Sequence, residues 1–242
     1  MKRDALCNDS INESIVVRFR PHQISLSLTL PFRRTIQSYR TLPIVTHRAY
    51  IDIEMDDSTL GRIVFGLFGE IAPKAVENFV ALCNCDHGKG KLTGKDLCYK
   101  NSPIHRVIPN FGLQGGDFTH FDGRGGESIY QNNVGTYFND EALGQVKHNR
   151  AYMVSNVNDG KGKKNTNRSQ FFINTVKTQW LDKTHQIFGM ILEGKSVITE
   201  IEKVGTHGGI PTKKIMIVNS GTLPIKPDVD SKPRLISEKL EL

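Results

Sequence analysis

The chain has 242 residues, of which 38% are hydrophobic and 24% charged, and a formal net charge of +7. That length accommodates one large domain or two small ones around a buried core. No apolar stretch reaches the roughly 18–20 residues needed to span a bilayer, so a membrane-embedded role is not expected.

The charge is unevenly spread. Residues 1–50 hold eight basic and three acidic side chains, whereas the rest of the chain holds 24 basic and 22 acidic ones. A nearly neutral body argues against nucleic acid as a partner, although Lys161, Lys163, Lys164 and Arg168 form one local basic cluster. The four cysteines (Cys7, Cys83, Cys85 and Cys98) are too few for a disulfide scaffold at this size. A reducing, cytoplasmic setting is therefore the default expectation.

Residues 1–45 differ from the rest of the chain. From Ser14 to Tyr50 there are six Arg and no acid. This is the profile of an organellar transit peptide, but Asp4, Asp9 and Glu13 depart from it at the very start. Two readings stay open: a variable basic extension on a cytoplasmic protein, or a segment addressing a mitochondrion or another organelle.

The folded domain is expected over residues 46–223. Tyr50–Met55 alternates like a strand, Asp56-Asp57-Ser58 marks a turn, and Leu60–Phe68 is a second strand. Pro73 suits the first turn of a helix, and Ala72, Val76, Phe79, Leu82 and Cys83 recur at helical spacing behind it. Short β-type runs come next at 103–108, 111–118, 152–155, 171–175 and 187–192. A second helix is expected over 196–203, with Val197, Ile198 and Ile201 on one face, and a last strand over 214–219. Many short strands with two isolated helices point to a mainly β fold, a closed barrel capped by the helices. Residues 224–242, with three prolines and many charges, read as a C-terminal tail.

Two segments carry the identity. The first is His105-Arg106-Val107-Ile108-Pro109-Asn110-Phe111, continuing to Gln114-Gly115-Gly116-Asp117-Phe118. The second is Asn165-Thr166-Asn167-Arg168-Ser169-Gln170-Phe171-Phe172, with Trp180-Leu181 and His185 downstream. They combine two permanent cations, several amides and several aromatic rings, without a nucleophile, a phosphate cradle or a metal cluster. The loop Gly88–Asp96 imitates a phosphate-binding motif but fails it, because Asp96 stands where Ser or Thr must bind magnesium. Asn167-Arg168-Ser169 matches a glycosylation sequon inside the second segment, where a glycan would block any groove.

Across about residues 46–223 these motifs closely resemble the cyclophilins, the cyclosporin-binding peptidyl-prolyl isomerases. The resemblance implies an eight-stranded antiparallel barrel with two α-helices. It implies Arg106 as the catalytic residue. Phe111, Phe172 and Leu181 would form a proline pocket flanked by His185. Gln114 would bind the substrate backbone, and Ser155 and Asn156 would lie beside an extended peptide. Gln170 would orient Arg106 or the ligand, and Trp180 would contact cyclosporin A. Proline-containing peptides and unfolded proteins are the implied partners of a monomer that needs no cofactor and no metal.

Isomerising an X–Pro bond needs no covalent intermediate. The barrier of roughly 18–20 kcal/mol comes from amide resonance. A guanidinium, which never loses its charge, can draw the prolyl nitrogen out of that resonance.

The chain also departs from the pattern. Gly112 stands where the family usually has Met, which should enlarge the pocket or expose one wall unless a neighbour fills the gap. The loop 157–164 is longer than usual and Arg168 replaces a common Gly, so a preference for acidic residues near the X–Pro unit is expected. An insertion over 87–101 resembles that of the divergent-loop subgroup. There Cys83, Cys85 and Cys98, with His87, form a redox pair, bind a metal or are merely structural. The rival to an enzyme is a Pro-peptide-binding or scaffold module with weak turnover.

Overall fold

The computed structural model describes residues 41–131, 136–160 and 163–226, and the backbone of 234–235. The extension expected upstream of residue 41, most of the tail beyond 226 and the cluster member Lys161 lie outside the described residues.

In chain order the elements are β1 (Thr41–Leu42), β2 (His47–Met55), β3 (Ser58–Leu67), α1 (Pro73–Asn84), β4 (Ser102–Ile108), β5 (Gly112–Gly115), β6 (Met153–Asn156) and β7 (Phe171–Asn174). Then come a single 3₁₀ turn (Gln179–Leu181), β8 (Ile187–Glu193), α2 (Lys195–Lys203), β9 (Ile215–Leu223) and β10 (Arg234–Leu235). Eight strands close into an antiparallel barrel in the order β2-β3-β8-β6-β7-β5-β4-β9, as expected. The outlying strands β1 and β10 pair only with each other. Packing starts upstream of residue 46: Leu42 and Val45 are buried with Phe68, Val146, Met153 and Ile187.

Local chemistry explains the elements. The β2–β3 hairpin turns on Asp56 and Asp57, both at positive φ, the geometry that matches strand twist in a two-residue turn. Pro73 opens α1, and no residue of the local chain caps it. The cap comes from afar: the Glu141 carboxylate accepts the backbone N–H groups of Lys74 and Ala75 at 3.1 Å each. It thereby satisfies donors that a helix start leaves orphaned. Phe79 on the buried face of α1 meets Phe65, Phe171 and Phe188 at ring separations of 5.0, 5.3 and 5.3 Å, the aromatic centre of the core.

The run expected over 111–118 stops at Gly115, because Asp117 organises the next segment as a loop. Its carboxylate accepts backbone N–H groups from Thr119, His120, Gly123 and Gly125. Burial alone would raise the Asp117 pKa. The N–H groups of His120 and Gly125, with the Thr119 hydroxyl and N–H, outweigh it and hold the group at about 2.

The insertion at 87–101 is tied down in two ways. Cys85 and Cys98 form a disulfide at its base, a pairing within the alternatives left open for these cysteines. Cys83 is free but buried, and burial raises its pKa. Among the described residues no group of three or more His, Cys, Asp or Glu could hold a metal ion. The second tie is Glu127, fully buried, whose carboxylate accepts Leu92 N–H at 3.0 Å, Thr93 N–H at 3.2 Å and the Thr93 hydroxyl at 2.6 Å. Glu127→Ala strands these donors. It is expected to cost about 2–4 kcal/mol in urea unfolding and to expose the 88–97 loop to protease first. Unchanged stability and cleavage would show that the clamp is dispensable.

Candidate functional site

The barrel order brings the two motif segments side by side. Arg106 on β4 faces Gln114 on β5, and Gln114 faces Phe172 on β7. Directly opposed residues of antiparallel strands share a face, so cation, amide and ring form one row across three strands. Phe111 lies at the turn into β5 and stacks on Phe172, with centroids 6.5 Å apart and planes 9° from parallel. His185 meets Phe172 edge-on at 5.5 Å. The 3₁₀ turn adds half-buried Leu181 and, on its outer side, Trp180, which is 67% exposed. Phe111, Phe172 and His185 thus form a ring cluster in the row that carries Arg106.

Arg106 is exposed and makes no hydrogen bond or ion pair with another described residue, so its donors stay available. Of the neighbouring amides, Gln170 has both its N–H donors engaged, whereas Gln114 spends one and keeps its Oε1 for a substrate. Gln114 Nε2 donates to Gln170 Oε1 at 2.8 Å, and Gln170 Nε2 donates to the carbonyls of Gly123 and Gly125 at 2.9 and 2.6 Å. Gln170 therefore orients Gln114 and the 123–125 loop; it makes no bond to Arg106.

Two further expected site residues turn inward. Asn156 is 3% exposed; its Oδ1 accepts from Gln186 Nε2 at 3.0 Å and its N–H donates to the Gln186 carbonyl at 3.1 Å. Ser155 is wholly buried and its Oγ is 2.8 Å from His148 Nε2. His148 Nδ1 lies 2.9 Å from Asp182, whose same oxygen also accepts the His148 backbone N–H at 2.7 Å. Ser, His and Asp in that order suggest a hydrolase, yet no substrate can reach a fully buried Ser155. The relay instead supports the ring cluster: the His148 ring is 7° from parallel to Phe172 at 5.9 Å. His148 and Asp182 have no motif of their own in the sequence, since 34 residues separate them. Glu202 on α2 was equally hidden. It accepts from Asn110 N–H at 2.8 Å and from the Thr175 hydroxyl at 2.6 Å, and so fixes the turn that presents Phe111.

Gly112 does not leave the space that its size suggests. A Cβ there would lie 2.4 Å from the Ile173 carbonyl oxygen and 3.1 Å from Asn174 Cα, so the β5 backbone itself has closed on β7. A pocket of about 410 Å³ does open beside the row, lined by residues including Gln114, Arg124, Val157, Asp159, Arg168 and Gln170. Its cations are matched. Arg168 binds Asp159 at 2.8 Å and lies over the Tyr137 ring at 4.9 Å, while Arg124 binds Asp122 at 2.7 Å. The charge of Arg168 on which an acidic preference would partly depend is therefore neutralised, whereas Lys163 and Lys164 are exposed.

Gly112→Met requires the two backbones to part. It is expected to destabilise by about 1–3 kcal/mol, read as a lower thermal midpoint; a neutral effect would refute the close packing. Acid should also weaken the site. Burial first, and His148 second, lower His185 to about 4 from 6.5; burial likewise lowers His148 and His105. The unfolded chain then binds protons that the folded one refuses, so stability is complete above 6.5 and drains as pH falls towards 4. The urea midpoint should fall from about pH 7 to about pH 4.5, and His185→Gln should flatten part of that slope. Equal slopes would contradict a neutral, half-buried His185.

Comparison with known proteins agrees with this geometry. The family described as cyclophilin type peptidyl-prolyl cis-trans isomerase/CLD matches residues 50–222. Peptidyl-prolyl cis-trans isomerase CYP21-1 of Arabidopsis thaliana is 44% identical over 181 residues, 74% of this chain and 77% of that protein. Peptidyl-prolyl cis-trans isomerase D of Saccharomyces cerevisiae is 46% identical over 191 residues, 78% of each. The NK-tumor recognition protein of Homo sapiens is 44% identical over 190 residues, 77% of this chain but only 12% of that much longer relative. With the family matched over most of the chain and two relatives aligned over most of their own length, the chain belongs to the cyclophilin type peptidyl-prolyl cis-trans isomerases.

Proposed function

We propose that this protein accelerates rotation about X–Pro bonds in peptides and unfolded chains, acting as a monomer through Arg106. One observation carries the reading: a guanidinium with no acceptor of its own stands in the same row as Gln114 and Phe172. The pyrrolidine ring seats against Phe111, Phe172, Leu181 and His185, while Gln114 meets the flanking backbone. Arg106 donates to the prolyl nitrogen as it turns pyramidal, which favours the twisted state over the planar one. The preorganised amides need not reorient during the twist. The exposed indole of Trp180, next to Leu181, supports binding of cyclosporin A at the same surface.

A second reading, a Pro-peptide-binding module with weak turnover, draws on Gly112, which puts no side chain into the recess wall. Turnover separates the two. The unmodified protein should isomerise a Pro peptide well above the uncatalysed rate. Arg106→Ala should lower kcat/KM by about 10²–10³-fold, the usual effect of removing one transition-state donor. Peptide binding without turnover in the unmodified protein would favour the module.

A further inference from the structure

Strand β4 has two edges, and only one is fully paired. Along Ile104–Ile108 it pairs with β5, but on the other side β9 reaches only Ser102 and Pro103. Beyond Pro103 that edge would be bare, at the point where Arg106 stands.

The segment following α2 covers it. Thr206 N–H donates to the Val107 carbonyl at 3.1 Å, and Val107 N–H donates to the Gly209 carbonyl at 2.7 Å. The segment is closed on itself. Gly209 N–H donates to Thr206 O at 3.0 Å, the Thr206 hydroxyl to Ile210 O at 2.8 Å, and Thr212 N–H to Val204 O at 2.8 Å. Gly205 N–H donates to the Glu202 carbonyl at 3.0 Å, which anchors the segment on the residue that also fixes the Phe111 turn.

Gly209 is the closest point. Its φ is +90°, and a Cβ there would come within 3.0 Å of Arg106 Cγ and 3.1 Å of Arg106 Nε. Bare backbone thus lies against the stem of Arg106, with Gln114 in register on its other side. An Arg side chain has several rotatable bonds whose freedom must be lost, and no hydrogen bond to another described residue fixes this one. Packing must supply the direction.

We propose that residues 204–212 form a strap that aims Arg106, and that Gly209 is its positioning residue. The strap holds the stem by contact alone, which leaves every guanidinium N–H free for substrate. A carboxylate in its place would fix the direction equally well but would occupy the donors. This inference rests on Arg106 being the catalytic group, and it names what keeps that group ready.

The test uses the full chain. In Gly209→Ala the new methyl meets the flexible stem of Arg106, and because the positive φ adds backbone strain, the unfolding midpoint is measured beside the kinetics. Thr206→Ala, which opens the strap without touching Arg106, serves as a second variant. Kinetics come from exchange spectroscopy on a Pro peptide, and orientation from the Arg106 Nε–Hε resonance of the unliganded protein. The expected result for Gly209→Ala is a kcat lower by about ten- to a hundredfold, with KM within about twofold and a shifted or broadened Nε–Hε signal. Thr206→Ala should move both readouts in the same direction by less. An unchanged kcat with an unchanged resonance would overturn the proposal, as would a loss that merely tracks a lower unfolding midpoint. If the unmodified protein lacks turnover, the isomerase reading fails, and the Nε–Hε signal still decides whether the strap positions Arg106.

Discussion

The proposed role of Arg106 depends on a charge that stays unpaired. A guanidinium attracts any carboxylate within reach, and a salt-bridged Arg106 would have little left to offer a substrate. Four acids of the neighbouring loops and of α2 are otherwise engaged. Asp117 is saturated by backbone N–H groups, Asp122 holds Arg124, Asp159 holds Arg168, and Glu202 is taken by Asn110 and Thr175. Each of these contacts stabilises its own loop. Together they remove the competitors for one cation.

The same economy governs the amides. Gln170 ends its hydrogen-bonding capacity in Gln114 and two loop carbonyls, so β5, β7 and the 117–127 loop share one side chain as a tie. That loop continues into Glu127, which grips the inserted 87–101 segment, itself closed by the Cys85–Cys98 disulfide. A continuous series of fixed contacts therefore runs from the groove to an insertion on the far side of the motif. On the opposite flank the Asp182–His148–Ser155 relay ties the Trp180–His185 turn to the strand beneath Phe172. The groove is built on the rigid barrel but is shaped by its loops.

Much of this was legible in the sequence, for definite reasons. Alternation over Tyr50–Met55, two adjacent aspartates at the turn and a proline opening an apolar helical stripe are local signals, and the structure has the corresponding elements. The motif residues Arg106, Phe111, Gln114 and Phe172 meet in space because strand register carries them there. What was illegible is long-range. Nothing in the neighbourhood of Ala72 reveals that Glu141 caps α1, and the direction of Ser155 depends on a histidine in another segment. Gly112 misled in an instructive way. A missing side chain read as a void, yet a backbone took up the space. Cysteine count excluded a disulfide scaffold but could not say which of Cys83, Cys85 and Cys98 would pair; the fold of the insertion brings Cys98 to Cys85.

Trp180 is the only tryptophan in the chain, and it stands on the 3₁₀ turn beside Leu181 with two-thirds of its surface in water. Indole emission is sensitive to hydration, so the solvent-sensitive part of the intrinsic fluorescence of this molecule originates at that one turn. Under the proposed function, a ligand lying across the turn would dry the chromophore that reports it. The protein would then carry an unlabelled optical probe of occupancy, in which a blue shift marks the seated state and the free protein sets the baseline.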